Sequence, residues 1–132
     1  MNAIQIPKGH QTVMPYLMLE NASRFKDFVI KVLNGKIISS HNQPGSDLIM
    51  HSEAEIGGSV IMFCDSSEQW PAHPAQMFVY VENADETYRK AMEQECLSIL
   101  EPSNQEYGRS CGISDSCGNV WWITSVISTT TV

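Results

Sequence analysis

His51, Glu53 and Glu55 occupy alternate positions of the segment Met50–Ile56. On an extended strand that spacing aims all three at one face, with Met50, Ser52, Ala54 and Ile56 on the other. An imidazole beside a carboxylate can orient a ligand or act as a general base near neutral pH. The same residues at a solvated sheet rim need no chemistry to explain them. His51 and Glu53 are therefore the candidate catalytic pair, and no nucleophile–base–orienter series accompanies them. Three donors at i, i+2 and i+4 of one strand make a poor metal trio. His10 precedes the first strand, His41 falls in a polar Gly/Pro segment and His73 lies beside prolines, so these three read as solvated surface. Cys64 and Cys96 sit among apolar residues as small buried hydrophobes. Cys111 and Cys117, in a Gly/Ser-rich stretch, are close enough in sequence to pair, which a reducing compartment would oppose.

The elements that must position these residues occur twice. Leu19-Glu20-Asn21-Ala22 returns 62 residues later as Val81-Glu82-Asn83-Ala84. Each copy follows an alternating run, Val13–Met18 and Gln76–Tyr80, and precedes a helical pattern. Phe25, Phe28, Val29, Val32 and Leu33 make an apolar stripe in the first helix, with Asn21 placed to cap its start and Asn34-Gly35 to end it. Tyr88, Ala91 and Met92 make a weaker stripe in the second. Short strands follow at Lys36–Ser39 and Ser98–Leu100, and Gly58–Phe63 is matched by Gly118–Ile123. Gly57-Gly58 reads as a hairpin turn.

Each half is thus strand, helix, strand, strand, strand, and the fold class is α+β: tandem βαβββ modules, cupped mixed sheets, helices on the outer face. Module 1 covers about 11–65, a proline-rich linker about 66–75 and module 2 about 76–127 of a single 1–132 domain. A unit of about 60 residues buries too little apolar surface to stand comfortably alone, so the two should share one body. Alternation puts Leu17, Leu19, Ile61, Phe63, Val79, Val81, Trp121 and Ile123 behind the helices. It puts Met14, Tyr16, Met18, Val60, Met62, Cys64, Gln76, Phe78, Tyr80, Val120, Trp122 and Thr124 on the opposite face. That second face is also largely apolar and must cover a sheet, a subunit or a ligand.

The net charge of −7 argues against a phosphate backbone or an anionic membrane as partner. The composition, 42% hydrophobic and 17% charged, is that of a globular domain. With no apolar run of spanning length and no basic-then-apolar start, the expected location is cytoplasmic.

Four segments together resemble the vicinal oxygen chelate superfamily, which includes glyoxalase I, bleomycin-resistance proteins and extradiol dioxygenases. They are Thr12–Leu17, His51–Gly57, Val79–Asp85 and Asp115–Ile123, and the nearest subgroup is the PhnB-like proteins. The Asp115–Ile123 segment is the most specific, although it has Ser116-Cys117 where the family usually has proline and a bulky apolar residue. The resemblance, spanning Ile6 to Ile127, implies paired βαβββ modules around a ligand or metal site, and often a homodimer. It also places the family's metal ligands at Met14, Met62, Gln76 and Trp122. Two thioethers, an amide and an indole do not suit a hard or borderline divalent ion. The expectation is a dismantled metal site and no cofactor.

What remains is an apolar cup. Tyr16, Met62, Phe78 and Trp122 can stack on a planar ligand, beside Met14, Gln76 and His51. A solid core is the plain alternative for the same residues. Arg109, in the turn Tyr107–Ser110, suits either an anionic ligand group or a surface ion pair. Trp70 of the linker either overlies the mouth or anchors its loop. The function this favours is metal-independent binding or sequestration of a small, partly apolar or aromatic molecule, by a homodimer with neither nucleic acid nor membrane as partner. A metal-dependent glyoxalase- or dioxygenase-like enzyme with a non-standard site and a non-catalytic dimeric interaction protein are the alternatives.

Overall fold

The computed structural model describes residues 3–127. The elements run β1 (Tyr16–Leu19), α1 (Ala22–Lys31), β2 (Lys36–Asn42), β3 (Ile49–Ile56), β4 (Ser59–Asp65), β5 (Gln76–Tyr80), α2 (Ala84–Glu93), β6 (Leu97–Gln105), β7 (Gly108–Ser114) and β8 (Val120–Ser125). Two mixed four-stranded sheets result, ordered β1-β4-β3-β2 and β5-β8-β7-β6. In each, the first strand runs parallel to the last, and the other pairs are antiparallel. The expected α+β fold of two βαβββ modules is the fold observed.

Helix α1 forms because its apolar stripe has somewhere to go: Phe25, Phe28, Val29, Val32 and Leu33 are all buried. Each such side chain contributes about 1.5–3 kcal/mol on burial. Its end is as the sequence suggested. Asn34 is left-handed at φ 55°, and the Gly35 N–H donates to the Val29 carbonyl at 2.9 Å. Its start differs. Asn21 is itself left-handed and makes no side-chain cap; the Ala22 N–H donates to Asp65, at the end of β4, at 2.9 Å. Helix α2 does carry a local cap, Asn83 accepting from the Glu86 N–H. Gly57 and Gly58 are both at positive φ and turn β3 into β4.

One core joins the modules. Phe25 of α1 packs edge-on to Phe63 of the first sheet at 4.9 Å, and both Phe25 and Phe28 pack against Trp121 of the second. Trp121 therefore lies beneath a helix as expected, and that helix belongs to the other module. The helix-bearing faces of the two sheets share this core, so their other faces point away from each other. Among the described residues, the hollow on the outer face of the first sheet is lined by the first module and the linker.

Other expectations are corrected. Met14 precedes β1, which begins at Tyr16. His41 lies within β2, opposite His51 of β3, because β2 runs three residues further than its apolar signal. Met50 is 51% exposed, although alternation assigned it to the helix side. A bulge explains this: His41 pairs with His51 but Asn42 pairs with Ile49, leaving Met50 as the extra residue. Cys96 is half-buried, and all four cysteines are free thiols. Cys111 and Cys117 do not pair; their sulfurs lie against the carbonyls of Ala84 and of Glu20 and Asn21. No helix among the described residues is long and apolar enough to cross a membrane.

Candidate functional site

The sequence-predicted ligand residues divide between two outward faces. Tyr16, His51, Glu53 and Met62 belong to the first sheet, with Met14 just ahead of its first strand, and Gln76, Phe78 and Trp122 to the second. Register makes each group a unit: Tyr16 lies beside Met62 and Met18 beside Cys64, and across β3 Glu53 lies beside Met62. In the second sheet Gln76 lies beside Val120, Phe78 beside Trp122 and Tyr80 beside Thr124.

On the first face an open hollow of about 470 Å³ is lined by Tyr16, Met18, Met50, Cys64 and, from the linker, Trp70. Thioether, thiol and aromatic groups make much of its wall, and Gln43, Asp65 and Ser67 add polar atoms to it. The Cys64 thiol lies 3.2 Å from the Met18 sulfur, and burial pushes its pKa up, so it is a neutral wall group. Beside the hollow, the His51 ring stands edge-on to Tyr16 at 5.8 Å. Glu53 joins two histidines: its carboxylate oxygens lie 2.9 Å from Nε2 of His51 and 2.8 Å from Nε2 of His10. Hydrogen bonds from His51 and then His10 hold the Glu53 carboxyl below the usual carboxylate range. His10, read from sequence as solvated, is thus a half-buried partner of the site. Only three-dimensional contact across 43 positions reveals it. His73 is exposed and stands apart.

The second face is an aromatic platform. Trp122 lies across Gly112 of β7: a Cβ there would fall 2.6 Å from Cζ3 of the indole. The indole N–H donates to Gln76 Oε1 at 3.1 Å, which fixes the ring in its plane. Phe78 is 5.2 Å from Tyr80 and 6.1 Å from Tyr107, and all three are at least half exposed. Tyr107 and Gly112 were not marked as site residues in the sequence. Gly112 had a legible signal only in retrospect, as a glycine inside a strand.

Arg109 is not part of either face. Its guanidinium forms a two-pronged pair with Asp85 near the start of α2, at 3.0 Å on both sides, and this places it on the helix side of the sheet. The most family-specific segment is structural as well. Asp115 accepts from the Cys117 and Asn119 backbone N–H groups and from the Trp121 indole N–H, all within 3.0 Å. Asn119 in turn accepts from the Ala75 N–H, so the turn holds with Ser116-Cys117 in it.

The family's metal positions do not fit a divalent cation. Met14 accepts a hydrogen bond from the Gln11 N–H, Gln76 is committed to Trp122, and Met62 and Trp122 offer a thioether and an N–H donor. Among the described residues no three His, Cys, Asp or Glu side chains converge in a metal-holding group. A larger cleft of about 620 Å³ lies elsewhere, between α1 and the segments around Glu93–Leu97 and Ser114–Ser116. Its walls include Arg24, Asp27 and Glu93 and carry none of these site residues.

Among solved structures, TioX from Micromonospora sp. ML1 superposes with a TM-score of 0.69 at 20% identity, covering 92% of this chain and 100% of that one. A protein from Bacillus cereus described as a putative 3-demethylubiquinone-9 3-methyltransferase, PhnB protein, gives 0.69 at 18% identity, covering 88% and 100%. TnmS3, an antibiotic binding protein from Streptomyces sp. CB03234, gives 0.65 at 14% identity, covering 89% and 100%. These likenesses establish the shared fold. No curated protein sequence matches the chain significantly. The model of the Glyoxalase/Bleomycin resistance protein/Dioxygenase superfamily matches residues 10–123, and the chain belongs to that superfamily.

Proposed function

We propose that this protein binds a small, partly apolar or aromatic molecule without a metal ion, in a cup completed by a second copy of the chain. The observation that carries the proposal is the second-face platform: Trp122 pinned by Gln76 and seated on Gly112, with Phe78 alongside. Keeping a flat aromatic surface fixed and exposed costs solubility unless something stacks on it. The first face offers a complementary hollow of thioethers and Tyr16. Two copies related by a twofold axis would set the first face of each against the second face of the other, closing two equal cups. Met14, Tyr16, His51 and Met62 would then meet Gln76, Phe78 and Trp122. The antibiotic-binding description of a structural neighbour is in keeping with sequestration of such a molecule.

Sedimentation and a thermal-shift screen of flat aromatic compounds test this. A dimer and hits that raise the unfolding temperature are expected, since a ligand that binds only the native state stabilises it by mass action. Trp122→Ala should abolish the hits. A dimer that responds to nothing would instead favour faces that serve only to pair the copies.

A further inference from the structure

Glu53 is a carboxylate held between two imidazoles, with its side chain only 13% exposed. Being ionised, it can only accept hydrogen bonds, so Nε2 of His10 and of His51 must each carry the proton directed at it. That fixes the tautomer of both rings. Each neutral imidazole is left with an unprotonated Nδ1, and a proton arriving there creates an imidazolium already in contact with a negative charge. Such a carboxylate-backed imidazole is a base built into the first face.

His51 is the ring nearer the hollow: it does not line it, but it stands edge-on to Tyr16, which does, beside the wall residue Met50. His10 comes from the segment before β1. That segment is tied down next door, where the Gln11 side chain donates to the Val60 carbonyl and accepts from its N–H. His10 is thereby a positioning residue that satisfies the second oxygen of Glu53. The other titratable groups around His51 and the hollow are His41 opposite it on β2, Tyr16 on β1, Cys64 and Asp65 on β4, and Glu55 further along β3, paired with Lys36 at 3.2 Å; the two Asp65 oxygens are committed to the Ala22 and Ile49 N–H groups.

We propose that His51, backed by Glu53 and positioned with His10, accepts the proton of an acidic hydroxyl on the bound molecule, so that the preferred ligand class is a phenol or aromatic enol held as its anion. The inference rests on the small-molecule reading above. In the step, the ligand O–H bond breaks, an N–H bond forms at Nδ1 of His51, and the electron pair stays on the ligand oxygen. No oxidant, reductant or further reactant is required. Proton removal from carbon is a worse match. The neighbouring Met18, Met62 and Tyr16 offer one hydroxyl to hold a newly formed enolate, whereas a phenolate spreads its charge over its own ring.

The test uses the whole protein with 4-nitrophenol and its methyl ether, 4-nitroanisole, at a pH below the ionisation of the free phenol. The phenol should bind at least about tenfold more tightly than the ether, a difference of about 1.4 kcal/mol. Its bound absorbance should be that of the phenolate. His51→Gln, which can still donate to Glu53, should lose the phenolate signal, and His10→Gln should move the pH at which it appears. Nitrogen NMR of the wild-type imidazoles, with a proton appearing at Nδ1 of His51 on adding the phenol, reads the same event without a variant. Equal affinity for phenol and ether, or a phenolate signal that survives in His51→Gln, overturns the proton acceptor and leaves the cup standing. Binding of neither probe also overturns it, and if the aromatic screen is silent too, the cup falls with it.

Discussion

Asp65, the last residue of β4, accepts a hydrogen bond from the backbone N–H of Ala22, the first residue of α1, at 2.9 Å. Its second oxygen accepts from the Ile49 N–H at 2.6 Å, so one carboxylate closes the helix start and anchors the start of β3. The second module repeats half of this device, with the Ser125 hydroxyl accepting from the Ala84 N–H at 3.1 Å. A cap borrowed from the far strand welds helix to sheet, where a local cap would only stabilise the helix.

Asp65→Ala is therefore expected to cost more than an ordinary cap, which is worth about 0.5–2 kcal/mol, because it also leaves the Ile49 N–H without its partner. Asn21→Gly removes no cap hydrogen bond and suits the left-handed backbone at that position. Urea unfolding should show a clearly lower midpoint for Asp65→Ala than for Asn21→Gly. Equal midpoints would mean that water replaces the carboxylate without loss.

Gly112→Ala addresses the platform. The added methyl would sit 2.6 and 2.8 Å from two carbons of the Trp122 ring, so the indole must lift or the strand must shift. Overpacking of this kind costs about 1–3 kcal/mol. The expected signature is local: a changed near-ultraviolet circular dichroism signal and a changed Trp122 environment, with the helix content retained. Binding of any aromatic hit from the screen should weaken along with it. An unchanged spectrum would show that the ring is not seated where Gly112 admits it.

The thiols give a chemical check on burial. Desolvation is the main cause that pushes Cys96, Cys111 and Cys117 up to about 11, and it also raises Cys64, so little thiolate exists at neutral pH. All four should react slowly with a disulfide reagent in the folded protein and rapidly in denaturant. A fast native phase would reveal a thiol more open than the packing allows.

The repeated order of elements was legible because each half writes its own strand alternation and helix stripe, as in Leu17 and Leu19 or Phe25, Phe28 and Val29. The two faces of the strands were legible for the same reason. What escaped was set by contacts distant in sequence. Alternation cannot foresee a bulge, so Met50 was placed on the wrong side of β3. Asn21 has the residue type and position of a cap, yet its left-handed backbone gives that role to Asp65. His10 was misjudged as solvated, and Arg109 took the second of its two readings, an ion pair. One found a half-buried carboxylate across 43 positions, and the other met Asp85 across the helix-bearing face. No single-chain pattern states which way two sheets turn, and here packing of Phe25 and Phe28 on Trp121 decides it.

The Glu53 bridge makes the acid limb of stability predictable in sign. Its folded pKa is lowered, chiefly by the hydrogen bond from His51 and then by that from His10. A depressed carboxyl stabilises the fold above its unfolded value, about 4.3 for glutamate, and that contribution disappears as pH falls through the lower folded value. Unfolding midpoints measured downward from neutral pH should thus fall more steeply in the wild type than in Glu53→Gln. The two curves should draw together at the acid end, where the wild-type carboxyl is also neutral. His10→Ala and His51→Ala each remove one hydrogen bond from the bridge, so each should reduce the difference, and His51→Ala by more, because its bond is the larger cause. Parallel curves for wild type and Glu53→Gln would mean that the carboxylate gains nothing from its two partners on folding, and the bridge would not then serve as a stable backing for a base.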